Sequence, residues 1–532
     1  RLLELEVLKR LYGKAKDKLQ LFSAALLKID VDQMYGIEIV EWPARIAEVA
    51  MWLIDHQMNL VASNLFGKSV MRLPLKKGAK IRIGNALQFD WNELLSSKEC
   101  SYVLGNPPFV GAKFQIAEQK SDMKTVFDGV KRFGLLDYVA AWYLMASIYI
   151  KDTKIACAFV STNSITQGEQ VGVLWPALFD LSINIQFAHS TFNWFSEARG
   201  KARVHVVIVG FGLDNPNKKA LFEYDDGAEQ ASMREVTSIS PYLIEGDGTT
   251  VGNRSTQLCE IPIIRFGNQP IDGGHLILSS EDKAEMNRDC PNASKYIRRY
   301  VGSKEYIHNL DRYCLWLKDV VPSELKGMKP IVDRIYQVRA FRLASKRPAT
   351  NDLASQSAQF AFVSHPDSRY LIIPSVSSER RRYIPIGFAG KNTIASNLVL
   401  IVPGATIFHF SILTSAMHMA WVRQVCGRMK SDFRYSNKLV YNNFPWPGNL
   451  AATKKAAVEK AAQEVLDARK EFKGQTLADL YDPLTMPMKL LKAHKKLDKV
   501  VDKCYRSQPF NSDRKRVEFL FTEYKKLLDE EQ

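Results

Sequence analysis

The sequence predicts three successive regions: an α/β domain of the doubly wound class over residues 1–235, a mixed α+β domain over 236–447 and a helical C-terminal subdomain over 448–532. In the first region strand-like and helix-like segments alternate, which is typical of a mostly parallel sheet that binds ligands at its carboxyl edge. A polar stretch over 214–250, rich in Gly, Asn, Asp and Ser, indicates a domain link. The third region is rich in Ala, Lys, Glu and Leu with helical periodicity.

The first region begins with an amphipathic helix and continues as strand–helix units. Pro43 marks the start of the second helix, because proline is tolerated in the first helical turn. The expected elements, in chain order, are a helix over Leu2–Tyr12, a strand over Gln33–Val40, the helix that Pro43 opens, strands over Lys80–Ile83 and Cys100–Leu104, a helix over Leu135–Ile150, and strands over Ile155–Ser161 and Val204–Phe211. In the second region, strand-like runs at Tyr370–Ile373 and Leu398–Val402 alternate with turns and basic segments.

Length and composition exclude several classes of protein. A chain of 532 residues is long for a single core, and a hydrophobic fraction of 46% excludes global disorder. The sequence contains no run of about 18 apolar residues, so we expect no membrane association. Seven cysteines without a Cys-x-x-Cys pair favour neither a disulfide framework nor structural zinc, and no metal site is predicted. The expected compartment is a reducing cytosol.

The distribution of charge indicates a polyanionic partner. The net charge is +16 and the isoelectric point is near 9.3. Between Cys290 and Thr350 there are 13 Lys or Arg residues against 5 Asp or Glu residues, so 8 of the 16 excess charges lie in this short segment. Aromatic residues interleave with these cations, as expected of a surface that contacts phosphates. We therefore favour contact with DNA in this segment over a salt-bridged, solvated face.

The five residues Gly105-Asn106-Pro107-Pro108-Phe109 carry the most information about function. They follow a strand-like run and end in an aromatic residue. Each proline restricts its own φ angle and the conformation of the residue before it, so the segment cannot become helical. The side-chain carbonyl of Asn106 and the following peptide carbonyl can then act together as acceptors beside an aromatic ring, which suits a planar amine. The alternative is an ordinary β-turn after a buried strand, since Asn, Pro and Gly dominate turns.

With a strand before it and an aromatic residue at its end, this segment resembles motif IV of the amino-group DNA methyltransferases, which reads Asn, Asp or Ser, then Pro-Pro, then Tyr, Phe or Trp. The Asn-Pro-Pro-Phe form implies adenine N6 as the target. The resemblance implies that the base is flipped out of the duplex. It also implies that Asn106, Pro107 and Pro108 form the catalytic loop and that Phe109 stacks on the base. Residues 1–235 are then expected to form a class I S-adenosylmethionine-dependent methyltransferase domain.

The same resemblance implies S-adenosylmethionine as the methyl donor and suggests the residues that bind it. Methyltransferases of this class carry an acidic residue at the end of the second strand, where its carboxylate accepts hydrogen bonds from the ribose hydroxyls, and Glu38 is in that place. An ordinary strand-end carboxylate is the alternative. Asn85 stands where many relatives use Asp to bind the adenine amino group of the donor, and Asp90 follows five residues later. Which of the two binds that group is left open.

Two further features belong to the expected site. In the family, a glycine-rich loop that holds the methionine half of the donor immediately precedes a helix like Leu2–Tyr12. No such loop is found before residue 30, so we expect the chain to start just beyond it. A second aromatic residue is expected to sandwich the flipped base, and Phe192, Trp194 and Phe195 are the candidates. Core packing is the alternative for each of the three.

The resemblance extends over nearly the whole chain. Five segments together resemble MmeI-type single-chain restriction-modification enzymes of bacteria, of type IIG: Tyr35–Glu38 with Ala44–Ala50, Ile297–Tyr300, Arg312–Trp316 and Tyr441–Pro447. In such enzymes one polypeptide carries a Mg-dependent nuclease, a helical connector, a methyltransferase and a target recognition domain. The resemblance implies that this chain holds the last two, with 236–447 as the target recognition domain, and that magnesium would serve only a nuclease that this sequence does not contain.

By the same resemblance, the second domain reads the DNA sequence. Arginine side chains can bind guanine edges, although most arginines in such domains contact phosphate. The candidate DNA-contacting residues are Arg298, Arg299, Arg369, Arg380, Arg381, Arg382, Arg428 and Arg434.

The predicted function is that of a site-specific, adenine-N6 DNA methyltransferase of a bacterial restriction-modification system. Its expected partner is double-stranded DNA, without an obligatory protein partner, and its expected location is the bacterial cytoplasm. One alternative is a DNA-binding specificity module that transfers no methyl group. Another is an amino-group methyltransferase acting on protein or RNA, since such enzymes use related Asn-Pro-Pro-aromatic loops. The large basic second domain favours DNA.

Overall fold

The computed structural model describes residues 2–12, 27–66, 78–194, 204–224 and 230–531. The chain divides into two compact units. The described residues of the first unit fall within Arg1–Thr162 and Pro176–Asn217, and those of the second within Asn163–Trp175, Lys218–Asp225 and Gln230–Gln532. The domain boundaries expected after residues 235 and 447 stay predictions.

The first unit alternates helices and strands, as the sequence predicts. Its elements are α1 (Leu2–Tyr12), β1 (Tyr35–Glu38), α2 (Glu41–Phe66), β2 (Lys80–Ile83), β3 (Tyr102–Gly105), α3 (Ala117–Val126), α4 (Ala140–Tyr149), β4 (Ala156–Thr162), part of α5 (Val171–Phe179), β5 (Asn184–Trp194) and β6 (Val204–Gly212). Strand β1 pairs in parallel with β2, and β3 pairs in parallel with β4. In both pairs a helix connects the two strands, as parallel pairing requires.

The mostly parallel sheet that the sequence predicts contains one reversed strand, β6. Strand β6 pairs antiparallel with both β4 and β5, in the order β3-β4-β6-β5. Only residues 195–203 separate β5 from β6, which are too few for the crossover that a parallel pair needs. The chain therefore reverses direction between β5 and β6.

The helix predicted over Leu135–Ile150 is shorter than expected. A separate 3-10 turn covers Phe133–Leu135, Leu136 is extended, and α4 begins only at Ala140. Leu136 and Val139 are fully buried although neither belongs to α4. Apolar periodicity cannot distinguish such a buried loop from a helix, so the prediction placed the start of the helix too early.

An aromatic cluster forms the core of the first unit between α4 and the sheet. The ring of Tyr143 stacks on Phe211 with centroids 5.3 Å apart. It also meets Phe159 edge-on, with centroids 5.3 Å apart. All three side chains are buried, so α4 is held against β4 and β6.

The second unit contains short strands and many helices. Its elements are β7 (Lys219–Glu223), β8 (Ser232–Val236), β9 (Arg265–Phe266), β10 (Ile277–Leu278), α6 (Ser280–Asp289), β11 (Ile297–Val301), α7 (Ser303–His308), β12 (Tyr313–Leu315), α8 (Pro322–Leu325), α9 (Lys329–Leu343), α10 (Pro348–Asp352), β13 (Tyr370–Pro374), β14 (Val376–Ser377), β15 (Gly387–Ala389), β16 (Thr393–Ala395), β17 (Val399–Pro403), α11 (Ile407–Leu413), α12 (Ala416–Val425), β18 (Gly427–Met429), β19 (Asp432–Arg434), α13 (Ala452–Glu471), α14 (Leu477–Leu480), α15 (Met488–Tyr505) and α16 (Asp513–Glu531). The sheets have the orders β10-β12-β11-β16, β15-β13-β17-β9 and β14-β19-β18, while β7 and β8 pair antiparallel. The runs predicted as strands at Tyr370–Ile373 and Leu398–Val402 correspond to β13 and β17.

The end of the chain is helical, as its composition predicts. Helix α15 buries Leu490, Leu497 and Val501 along one face. The guanidinium of Arg516 in α16 pairs with the carboxylate of Asp502 at 2.6 Å, and both side chains are largely buried. The tail is therefore held together by packed apolar faces and by a charge-assisted hydrogen bond.

In the part of the chain that the structure describes, no helix is long and apolar enough to cross a membrane. The same residues contain no group of three or more His, Cys, Asp or Glu side chains arranged to hold a metal ion. All seven cysteines are free.

Candidate functional site

The Asn-Pro-Pro-Phe segment follows the carboxyl end of β3. Gly105, the last residue of β3, pairs with Phe159, and a Cβ atom on Gly105 would lie 3.1 Å from that ring. Pro107 is buried, whereas Asn106, Pro108 and Phe109 are exposed. The amide of Asn106 has no hydrogen-bond partner among the described residues. The buried Pro107 thus holds the end of the strand in place. The Asn106 amide, without a partner among the described residues, and the exposed Phe109 ring lie three positions apart in the sequence.

The loop after this segment is held by residues 135–139. The amide nitrogen of Tyr138 donates to the carbonyl of Val110 at 2.9 Å, and that of Ala112 donates to Oδ1 of Asp137 at 3.0 Å. The hydroxyl of Thr162, at the end of β4, lies 3.5 Å from Oδ2 of Asp137. Asp137 therefore connects the loop to the neighbouring strand. Sequence analysis missed it, although a single carboxylate inside the apolar run Leu135–Ile150 was a signal that could have identified it.

Glu38 is the last residue of β1 and pairs with Ile83, the last residue of β2. Its carbonyl accepts a hydrogen bond of 2.9 Å from the amide nitrogen of Gly84. Its carboxylate is half-buried and, within the described part of the chain, accepts a single long bond, of 3.3 Å, from the amide nitrogen of Val40. The two paired strands thus bring Glu38 next to the segment that carries Asn85, and the Glu38 carboxylate keeps lone pairs for further donors.

The side chain of Asn85 takes part in a hydrogen-bond network. Its Oδ1 accepts from the amide nitrogen of Leu87 at 3.0 Å, and its Nδ2 donates to Oδ2 of Asp122 at 2.8 Å. The Asp122 carboxylate is buried and also accepts from Nε2 of Gln88 at 2.9 Å and from the hydroxyl of Tyr138 at 2.6 Å. Burial and the hydrogen bond to Asp122 raise the pKa of Tyr138. Asp122 has no motif around it, so the sequence alone could not single it out.

Asp90 has a capping role in the structure. Its Oδ1 accepts from the backbone nitrogen and from the side-chain nitrogen of Asn92, both at 2.9 Å, at the start of the 3-10 turn Trp91–Glu93. This is an ordinary N-cap arrangement. A role of Asp90 in binding a cofactor stays a prediction.

Two of the three candidate base-stacking aromatics lie on β5. Trp194 is 40% exposed and Phe192 is half-buried, and their ring centroids are 6.3 Å apart. Phe192 also lies 6.3 Å from the ring of His189, whose pKa is lowered by burial. Phe195 lies outside the described residues. Of the described pair, Trp194 presents more of its surface to solvent.

The eight candidate DNA-contacting arginines differ in how freely their guanidinium groups can move. Arg380 and Arg434 are exposed, and their guanidinium groups form no hydrogen bond within the described residues. Arg369 lies over the ring of Phe388 at 3.8 Å, and Arg382 lies 5.8 Å from that of Tyr383. Arg380, Arg434, Arg369 and Arg382 therefore remain candidates for contact with a ligand in solvent.

Arg381 and Arg428 are engaged inside the protein. Arg381 bonds Oγ of Ser377 at 3.4 Å, and burial lowers its pKa. The guanidinium of Arg428 donates to Glu379 at 3.3 Å and to the carbonyl of Ser431 at 3.0 Å, and burial lowers its pKa as well. The structure thus gives the Arg428 guanidinium internal partners, and its selection as a DNA-contacting residue stays a prediction.

The basic segment Cys290–Thr350 is only partly available for a polyanion. Arg342 is fully buried. Four other cations of the segment pair with carboxylates: Lys295 with Glu324, Arg312 with Glu305, Lys329 with Asp333 and Arg334 with Asp282. Of the 13 cations, 9 form no ion pair within the described residues, and 8 of these 9 are not fully buried, so part of the positive charge is available for a polyanion.

Three family models match the chain in succession. Residues 1–223 match the DNA-methyltransferase domain of MmeI, residues 245–448 match its target recognition domain, and residues 450–530 match its C-terminal domain. The family resemblance and the fold class expected from the sequence are thereby confirmed.

Two longer proteins are similar along almost the whole chain. DNA methyltransferase A of Bacillus subtilis (strain 168) is 40% identical over 533 residues, which cover 99% of this chain and 59% of that protein. The chain thus spans about three-fifths of the length of this curated relative. The type IIL restriction-modification enzyme MmeI, solved in complex with DNA, is 45% identical with a TM-score of 0.84, over 99% of this chain and 70% of that chain. On these matches, the chain belongs to the MmeI family and carries its methyltransferase, target recognition and C-terminal domains in that order.

Proposed function

We propose that this chain forms the methyltransferase and target recognition parts of a bacterial restriction-modification enzyme, and that it methylates N6 of an adenine in double-stranded DNA with S-adenosylmethionine as donor. The observation that carries the proposal is the Asn-Pro-Pro-Phe segment at the end of β3, where the Asn106 amide has no partner among the described residues and the Phe109 ring is exposed. The membership in the MmeI family supports it.

The catalytic role of the segment follows from its acceptors. An exocyclic amine is a weak nucleophile because its lone pair is delocalised into the ring. The side-chain carbonyl of Asn106 and the carbonyl before Pro107 would accept hydrogen bonds from the amine and favour a pyramidal nitrogen, whose lone pair is less delocalised into the ring. Phe109 would stack on the flipped base. The rate enhancement then comes from alignment and exclusion of water, and the amine releases its proton after the transfer.

The residues around Glu38 and Asn85 fit an S-adenosyl donor, which supplies an electrophilic methyl group when bound. The Glu38 carboxylate is half-buried, accepts one long hydrogen bond from the residues that the structure describes, and can accept from ribose hydroxyls. Oδ1 of Asn85 can accept from an amino group with its second lone pair, because its Nδ2 is committed to Asp122. Since Asp90 caps a turn through Oδ1, we favour Asn85 over Asp90 for this role.

Contact with DNA is assigned to the target recognition domain. Arg380 and Arg434 are exposed and their guanidinium groups are free of internal partners within the described residues, so they can place donors against base edges or phosphates. Arg298, Arg299, Arg369 and Arg382 are further candidates for duplex contact. Trp194, as the more exposed of the described aromatics on β5, is the preferred second stacking residue.

The test is the substitution Asn106→Ala, with transfer of a radiolabelled methyl group to duplex DNA and duplex affinity as separate readouts. We expect the loss of transfer with duplex affinity largely retained. Asn217→Ala, at an exposed Asn of the same unit, is the matched control and should transfer normally. Both are measured on this chain and on a form extended upstream.

Near-normal transfer by Asn106→Ala would contradict the assignment. Duplex binding without transfer by either unsubstituted form would favour a DNA-binding specificity module. Transfer to a protein or RNA substrate but not to DNA would favour the other class of amino-group methyltransferase.

A further inference from the structure

A basic pocket lies in the second unit against the sheet β10-β12-β11-β16. Its volume is about 590 Å³, and nine residues line it. Four of the nine are cations, namely Lys283, Lys295, Arg298 and Arg299, and none is Asp or Glu. Several cations in one concavity without an acid among the lining residues focus a positive potential, which attracts an anion.

The two guanidinium groups of the pocket are held in place by neutral partners. Nη1 of Arg298 donates to the carbonyls of Lys295 and Ile297 at 2.7 and 3.1 Å. Nη2 of Arg299 donates to Oδ1 of Asn309 at 2.7 Å. These bonds orient both groups but leave their charges without a counter-ion, because neither Arg forms an ion pair within the described residues. Nε of Arg299 is buried and has no hydrogen-bond partner.

The two lysines of the pocket differ. Lys283, on α6, places its Nζ 3.9 Å from the centroid of the Tyr313 ring, and no carboxylate neutralises it within the described part of the chain. Lys295 pairs with Glu324 at 2.9 Å and therefore contributes less to the potential. Three uncompensated cations, Lys283, Arg298 and Arg299, thus converge on one opening. An anion with several oxygen acceptors would satisfy all three.

We propose that this pocket binds a phosphodiester group of the DNA backbone and so positions the duplex without reading its sequence. The proposal rests on the proposed function and extends it, because it assigns Arg298 and Arg299 to phosphate and adds Lys283. Guanidinium groups that are tethered to carbonyls and to Asn309 lack the free fork that bidentate contact with guanine uses. Contact with a phosphate requires only the positive charge and the N–H donors that these internal hydrogen bonds leave free.

The lining of the pocket also disfavours a free nucleotide. Tyr313 is the one aromatic residue among its nine lining residues, and the ammonium group of Lys283 lies over that ring. A nucleotide base would therefore find no open aromatic face on which to stack. A phosphodiester of DNA and the phosphate of a free nucleotide would contact the same cations, so the experiment must distinguish binding of DNA from binding of a nucleotide.

The test is the double substitution Lys283→Ala with Arg299→Ala, with affinity for a fluorescent duplex measured over a range of salt concentrations. Each lost phosphate contact reduces the slope of log K against log salt by about 0.9, so we expect the double variant to lose roughly 1 to 2 units of slope. Affinity should fall by about the same factor for duplexes of unrelated sequence. Lys460→Ala with Lys473→Ala removes the same charge from exposed positions in the helical tail and should leave the slope nearly unchanged.

A slope equal to that of the control double variant would overturn the proposal. If the double variant fails to fold, Lys283→Gln alone, at a partly exposed position on α6, should reduce the slope by about 1 unit. An unchanged slope in that variant would equally overturn the proposal.

Competition at constant ionic strength separates the two sources of phosphate. We expect inorganic phosphate and adenosine monophosphate to compete with duplex only weakly and to similar extents. If the unsubstituted chain bound adenosine monophosphate tightly and the double variant did not, the phosphodiester assignment would be overturned. A failure of the unsubstituted chain to bind duplex would overturn it as well. None of these measurements requires methyl transfer. A reduced slope together with no methyl transfer by either unsubstituted form would therefore sustain the phosphate site and remove the proposed enzyme activity.

Discussion

The carboxylate of Asp122 accepts a hydrogen bond of 2.8 Å from the side-chain amide of Asn85. This bond determines the orientation of the amide, because Nδ2 faces Asp122 while Oδ1 faces the backbone nitrogen of Leu87. A residue of α3 thus orients the side chain that we propose as a ligand of the methyl donor. The same carboxylate accepts a hydrogen bond from the hydroxyl of Tyr138. The residue before Tyr138 in the chain, Asp137, holds the loop after Phe109 through its bond to the amide nitrogen of Ala112.

Asp122→Ala is expected to weaken both stability and donor binding. Three donors lose their acceptor, and two of them are buried or half-buried, the Tyr138 hydroxyl and the Asn85 amide. Each of these two costs about 1–3 kcal/mol when it is left unpaired. Because the Asn85 amide is then free to rotate, affinity for S-adenosylmethionine should fall by roughly tenfold, or about 1.4 kcal/mol. Thermal unfolding and calorimetry on this chain and on its upstream-extended form measure the two effects. Glu118→Ala, at an exposed carboxylate of the same helix, should change neither. Unchanged donor affinity in a folded Asp122→Ala protein would refute the positioning role.

Gly105→Ala is expected to displace the Asn-Pro-Pro-Phe segment. The new Cβ atom would lie 3.1 Å from the Phe159 ring, so either that packed ring or the end of β3 must move. Overpacking of this kind costs about 1–3 kcal/mol. We expect a lower rate of methyl transfer at nearly normal duplex affinity, measured as for Asn106→Ala. Gly134→Ala adds a Cβ atom where no other atom lies within 4 Å and serves as the control. Equal transfer rates for the two variants would show that the site tolerates the added methyl group.

Arg342→Lys is expected to destabilise the second unit. The guanidinium is fully buried and donates to five carbonyls, those of Pro270, Ile271, Leu353, Gln356 and Gln359. Burial lowers its pKa, and Asp272 partly opposes this effect. An ammonium group has three donors and cannot serve five acceptors, so we expect a loss of about 3 kcal/mol or more in the free energy of unfolding. Urea unfolding measures it.

The control for that prediction is on the same helix. Arg339 is exposed, so Arg339→Lys keeps the charge and should leave the free energy of unfolding within about 0.5 kcal/mol of the unsubstituted value. If the Arg342→Lys protein were equally stable, the five-carbonyl arrangement would not contribute to folding in the way that we infer.

Asp498 is expected to make stability depend on pH. Burial raises its pKa to about 6, although the Tyr383 hydroxyl at 2.6 Å, the Ala416 nitrogen at 2.7 Å and the charge of Arg516 oppose the shift. The pKa in the folded protein therefore exceeds the unfolded value of about 3.9, and the folded state binds the proton more tightly. The contribution of this proton to stability is present at low pH and is lost as the pH rises from about 4 to 6, by up to about 3 kcal/mol.

The substitution Asp498→Asn tests this pH dependence. Unfolding in urea at pH 5 and pH 7 should show the original protein gaining about 1 kcal/mol relative to Asp498→Asn on going to pH 5. The buried His418 and His494, whose pKa values are lowered by burial, titrate in both proteins and cancel in the comparison. An identical pH dependence in the two proteins would mean that Asp498 does not titrate in this range.

Much of the site could be read from local patterns in the sequence. The Asn-Pro-Pro-Phe segment, Glu38 at the end of a strand and the alternation of strands and helices all follow from residue type and spacing along short stretches of chain. These features could be predicted from the sequence because the restriction of the backbone by proline and the alternation of side chains along strands act within a few residues. The order of the three domains was visible for the same reason, as changes in composition along the chain.

Other features were decided by contacts between residues that are far apart in the sequence. Asn85 and Asp122 are 37 positions apart, and Arg342 and Pro270 are 72 apart. Whether a cation faces solvent or fills a buried cluster of carbonyls depends on which chain segments pack around it, so Arg342 and Arg428 looked like surface charges in the sequence. The antiparallel insertion of β6 between β4 and β5 likewise depends on strand pairing across the sheet. The sequence by itself thus determined the chemical groups of the site and their order, whereas long-range packing decided which of those groups are free to bind and which hold the others in place.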